Sequence, residues 1–104
     1  MKHYQSHYYP ATIELTDERA AHIAQRHPDL YPQEEARLEL TLAEPDGVVR
    51  RVTREGNPKH EFYRWFPDLR GGKFVRVQVV TDSGDPDRHW IVTAYLATSP
   101  PHDR

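Results

Sequence analysis

EPDGVVRRVTR, Glu44 to Arg54, is the stretch at which the chain changes its period. Before it apolar residues recur at helical spacing; after it they alternate. Pro45, Asp46 and Gly47 supply a turn, since proline fixes φ, aspartate bonds nearby backbone and glycine tolerates conformations that side chains resist. Four alternating runs follow: VVRRVTR (48–54), EFYRWF (61–66), KFVRVQVVT (73–81) and HWIVTAYLAT (89–98). Their connections, EGNPKH, PDLRGG and DSGDPDR, are short and rich in turn residues, which predicts antiparallel neighbours.

Upstream, Thr16 with Asp17 and Glu18 behind it starts a helix, because a hydroxyl caps free amides and acids suit the positive end of the helix dipole. Ala20, Ile23, Ala24 and His27 share one face of it, and Pro28 disfavours helical geometry at His27, making that histidine the boundary. A second helix is expected from about Pro32 to about Glu44, with Ala36, Leu40 and Ala43 along one stripe and Leu38 and Leu42 beside it. ATIEL (11–15) alternates briefly and suits a short strand. The first nine residues, with three tyrosines and two histidines, fit either an arm or an edge strand; SPPHDR, the last six, is expected to fray.

The expected fold class is therefore α+β, with two N-terminal helices packed on one face of a four-stranded antiparallel sheet. At 104 residues the chain suits a single domain, with its core at about 11–98. The absence of cysteine excludes disulfides, thiolate metal sites and thiol nucleophiles. No apolar run is long enough for a membrane span or a secretory leader, so the expected location is cytoplasmic, with no membrane partner. The net charge of −2 is unevenly spread: residues 1–46 carry four Lys/Arg against nine Asp/Glu, and residues 47–97 carry nine against six. A basic second half suits a polyanionic partner.

Strand alternation then picks out a polar face. Val75, Val77 and Val79 point one way and Arg76 and Gln78 the other. Strict alternation on the last strand sets Trp90, Val92, Ala94 and Leu96 against His89, Ile91, Thr93 and Tyr95. With the valine and leucine faces turned to the helices, the free face carries Arg76, Gln78, Thr93, Tyr95, His89 and Arg50 or Arg51.

Seven histidines invite a metal-site test. His22 and His27 are five apart, about 140° around a helix, whereas helical zinc pairs sit four apart. No metal and no cofactor are expected. Neither a nucleophile elbow nor a glycine-rich phosphate loop is present. What remains is histidine, arginine, tyrosine and threonine, a set suited to RNA cleavage by the RNA's own 2′-hydroxyl, which needs a base, an acid and a fixed cation at the phosphate. His27, Arg26, Arg76, Thr93 and Tyr95 are the catalytic candidates; His22, Arg51, Gln78 and His89 are candidates for holding substrate. Each has a plainer alternative: His27 as a helix cap, Arg26 as a solvated partner of Asp29 or Glu18, His22 as a packing histidine, Arg76 as a solvated strand arginine, and Thr93 and Tyr95 as good strand formers.

RHP with a preceding His22, TLAEPDGV (41–48) and WIVTAY (90–95) together resemble the barnase–EndoU–colicin–RelE group of nuclease-like domains, in particular its phage-associated branch, over about residues 13–98. The resemblance implies a metal-independent endoribonuclease of toxin or phage-associated type acting on tRNA or ribosomal RNA, with an antitoxin or immunity protein as a further partner. It also implies that His27 and Arg26 act from the helical part, and Arg76, Thr93 and Tyr95 from the sheet. Two other readings use the same surface: a non-catalytic RNA- or protein-binding module, and a structural domain of a phage or mobile element.

Overall fold

A computed structural model describes residues 1–102; Asp103 and Arg104, the end of the expected frayed tail, lie outside the described residues. The elements run β1 (Lys2–Tyr4), β2 (Ile13–Leu15), α1 (Asp17–Arg26), α2 (Glu35–Ala43), β3 (Gly47–Val52), β4 (Pro58–Phe66), β5 (Lys73–Asp82) and β6 (Asp85–Ala97). They form one six-stranded sheet in the order β1-β2-β6-β5-β4-β3. This corrects the expected four-stranded antiparallel sheet. The chain is α+β, but the sheet is mixed, because β2 pairs parallel to β6 through Ile13–His89 and Glu14–Trp90. The N-terminal residues supply the two added strands, with Tyr4, Ile13 and Leu15 buried in the core.

The four C-terminal strands meet in antiparallel register. Cross-strand partners share a face, so Phe62, Val77 and Ala94 line the core while Tyr63, Arg76 and Tyr95 line the opposite face. The Glu44–Gly47 turn is clipped to β4: Trp65 donates its amide to the Asp46 carboxylate at 2.7 Å, and Arg64 donates to the Glu44 carbonyl at 2.6 Å. Gly47 itself sits under the Tyr63 ring, where an added Cβ would stand 2.3 Å from the phenol oxygen.

Both helices contribute to one core, with Ile23 of α1 in the same buried cluster as Leu38 and Leu42 of α2. α2 packs on β5 and β4, burying Leu38, Thr41 and Leu42, whereas Ala36 is exposed. The buried stripe is thus turned from the expected one. α1 packs against β6 instead. β2 ends after pairing with His89 and Trp90, and α1 continues beside β6 from there: Arg19 lines a cleft with Trp90, and His27 at the far end reaches Tyr95. Beyond α2, the core face is covered by the N-terminal arm, where Tyr9 stacks on His89 at 3.8 Å and bonds His60 at 2.7 Å. No helix among the described residues is long and apolar enough to cross a membrane.

Candidate functional site

The site is assembled from a helix end and four strands. Thr16 caps α1 through its hydroxyl, which accepts from the Arg19 amide at 3.2 Å, and the helix then runs until Pro28 forbids its continuation. His27 closes it: its amide donates to the Ile23 carbonyl at 2.7 Å, and its own carbonyl accepts from Leu30 and Tyr31. With φ −134° and ψ 62° the residue has left helical geometry, and its imidazole lies against Tyr95, ring centroids 5.7 Å apart. His27 is thus both the cap and a contact of the helix with the sheet.

Tyr95 leads inward across the sheet. Its cross-strand partner Arg76 holds its guanidinium over the phenol ring, 5.1 Å from the centroid, and donates to Glu61 at 3.1 Å. Arg51 donates to the other oxygen of the same carboxylate. The result is a continuous row, His27–Tyr95–Arg76–Glu61–Arg51, from the end of α1 across β6, β5 and β4 to β3. Thr93 and Gln78 pair with each other one step along, on the same face.

The electrostatics of the row centre on Glu61, whose side chain is 5% exposed. Burial would raise its carboxyl, but hydrogen bonds and charge from Arg51 and Arg76 outweigh burial and hold it below the usual carboxylate range. At neutral pH the row is two guanidinium ions sharing one carboxylate, and one buried guanidinium nitrogen, Arg76 Nε, has no partner among the described residues.

Four sequence candidates lie on the row, His27, Tyr95, Arg76 and Arg51, with Thr93 and Gln78 on its flank. Arg26 is exposed in the last turn of α1 and His22 is half-buried a turn earlier; neither makes an ion pair among the described residues. His89 is on the wrong face. Gln78 pairs with Thr93 but Val79 pairs with Ile91, so a bulge at Val92 reverses the alternation and sends His89 to the core side. There it is buried, bonded to Thr81 at 2.7 Å, and burial lowers its pKa. Glu61 was missed. Its signal is an acid in an otherwise aromatic strand run, EFYRWF, but only the register shows that two arginines meet it.

Three aromatic residues extend the same face beyond Arg76. Tyr63 is its partner on β4, and Trp65 and Phe74 pair with each other one step further, ring centroids 4.9 Å apart. Trp65 is 42% exposed. Among the described residues, no three His, Asp or Glu side chains gather as a metal-binding group.

No protein-family model, curated protein or solved structure matches this chain. Its function is therefore argued from its own residues.

Proposed function

We propose that the row is an RNA-cleaving site of a metal-independent endoribonuclease, the activity that the resemblance to the barnase–EndoU–colicin–RelE group implies. The observation that carries it is the contact between His27, Tyr95 and Arg76, which brings an imidazole, a phenol and a fixed cation to one surface. In the reaction the 2′-oxygen attacks the adjacent phosphorus as its proton is removed, the bond to the 5′-oxygen breaks, and that oxygen takes up a proton. The products are a 2′,3′-cyclic phosphate and a free 5′-hydroxyl. His27 exchanges these protons with Tyr95 assisting, and Arg76 stabilises charge on the phosphate oxygens. Thr93 and Gln78 hold the neighbouring sugar, and Trp65 with Phe74 offers a stacking surface for an unpaired base.

A second reading is binding without cleavage, favoured by the pairing of Arg76 with Glu61, which already satisfies part of the charge meant for phosphate. The two separate by incubating purified protein with tRNA and total RNA in EDTA, beside His27→Ala and Tyr95→Phe. Cyclic-phosphate ends that vanish in His27→Ala support cleavage. Salt-dependent binding with no product supports the binding module, and cleavage unchanged by both substitutions sinks the assignment of the row. An inhibitor protein over the same face, of antitoxin or immunity type, belongs to this proposal; growth arrest on expression, relieved by a co-expressed partner, is its test.

A further inference from the structure

The face that carries the row is covered by no helix among the described residues, yet several of its residues are nearly inaccessible, among them Val49, 8% exposed, and its cross-strand partner Glu61, 4%. The chain's own C-terminal segment accounts for this. β6 ends at Ala97, opposite Phe74. Five residues later, the His102 carbonyl accepts a hydrogen bond from the Arg51 guanidinium on β3, the same guanidinium that holds Glu61. Between them Pro101 is buried, while Thr98, Ser99, Pro100 and His102 are exposed.

The path is constrained by length. β6 and β3 lie three strand spacings apart, about 14 Å, and Ala97 is level with Trp65 whereas Arg51 is level with Lys59, so the five residues, which reach about 17 Å when fully extended, run diagonally toward Glu61, to which the Arg51 side chain reaches back. A detour around the end of the sheet would exceed that reach, so residues 98–102 cross β5 and β4 directly, over the Glu61 side. Two prolines suit such a segment, since each fixes φ near its extended value and reduces the entropy lost on docking.

We propose that the face between Val49 and Arg76 is a groove for an extended, proline-containing peptide, and that residues 98–102 occupy it as a displaceable strap. Resting on the RNA reading of the row, the strap and RNA compete: the phosphate that would bond Arg51 must displace the His102 carbonyl, and a chain lying across the face excludes a nucleotide from the row. A strap docked nine-tenths of the time raises the apparent Kd for RNA about tenfold.

The test uses the full chain. Because it has no cysteine, Ser99→Cys carries a single nitroxide label. The free protein is expected to show an immobilised label that becomes mobile as a single-stranded oligoribonucleotide is added. Pro101→Gly should free the label without RNA and tighten RNA binding severalfold, and excess synthetic TSPPHDR peptide should compete with RNA on that variant. A mobile label in the free protein overturns the strap; a label still immobile at RNA saturation, or unchanged RNA affinity in a Pro101→Gly variant whose label is mobile, overturns the competition. If neither protein binds RNA, the RNA reading falls by itself, and label mobility together with displacement of the strap by the peptide decides whether the groove exists.

Discussion

Glu61→Gln is the substitution that probes the row most directly. It keeps the shape of the side chain and one acceptor oxygen while removing the charge that two guanidinium ions share. Removing one partner of a fully buried ion pair costs about 3 to 5 kcal/mol, chiefly through the charge left unpaired. Here Arg76 and Arg51 keep 17% and 24% side-chain exposure and retain some hydration, so a smaller loss, about 2 to 3 kcal/mol, is expected, just below that range. For a domain of this size it lowers Tm by about 10 to 20 °C. Urea unfolding at pH 7, read by far-ultraviolet circular dichroism, measures it. The pH dependence adds a second constraint. Glu61 is held below its ordinary pKa in the folded state, so its contribution is complete above the unfolded carboxylate value of about 4.3 and is lost as pH falls through the folded value. The gap between the two proteins should stay constant from pH 7 to 5 and narrow below about pH 4. In an Arg76→Met background the same change should cost less, because one of the stranded charges is gone. A loss under about 0.5 kcal/mol at pH 7 would place Glu61 among ordinary surface residues, and a gap that does not narrow on acidification would refute the charge-based account.

Three further outcomes follow from the geometry. Gly47→Ala puts a methyl group into the Tyr63 ring, with an expected loss of about 1 to 3 kcal/mol that Tyr63→Ala should largely remove; thermal melts of the single and double variants check this. Burial lowers the pKa of His60, with Arg50 and His89 adding to it, and burial likewise lowers that of His89. The stability these two histidines give is therefore complete above about pH 6.5 and lost as pH falls through their lowered values. NMR titration of the imidazoles should place both below the ordinary range, with the protection factors of the Tyr8 and Tyr9 amides, corrected for intrinsic exchange, lower at pH 5 than at pH 7; a His89 that titrates normally contradicts its burial. Finally, if RNA binds at the row, Glu61→Gln releases positive charge, and the slope of log K against log salt should steepen by about 0.7 per phosphate gained. An unchanged slope would mean that neither arginine reaches a phosphate.

Much of the C-terminal half is legible in the sequence, because a strand of nine or ten residues shows its period several times over. Val75, Val77 and Val79 declare the core face of β5, and the opposite face follows. β1 and β2 are three residues each. The brief alternation of ATIEL marks Ile13–Leu15 as a strand, but its parallel pairing with β6, which begins some seventy residues later, is reported by no local pattern. His89 fails for a different reason. Alternation carries an error of parity through any bulge, so one extra residue at Val92 moved every assignment before it on β6 to the other face. The α2 stripe was misread because Thr41, a residue that usually stays outside, is buried with its hydroxyl bonded to the Arg37 carbonyl.

The row also bears on the objection that an acidic chain makes a poor RNA ligand. Charges farther away than the screening length, about 8 Å at physiological salt, are largely screened, so a bound phosphate responds mainly to groups within that radius. The excess acids lie in residues 1–46, several of them on and around α2: Glu34 pairs with Arg37, and Glu35 pairs with Lys2 and accepts from Tyr4. α2 packs on the core side of β4 and β5, while Arg51 and Arg76 project from the opposite side. The sheet therefore separates the acids of α2 from the row. Within the row the nearest negative charge is Glu61, a built-in counter-ion whose removal can be tested. The acid that reduces attraction for phosphate also holds Arg51 and Arg76 in place, so stability and RNA affinity should respond to Glu61→Gln in opposite directions. That opposition distinguishes a site organised for an anion from an ion pair that serves folding alone.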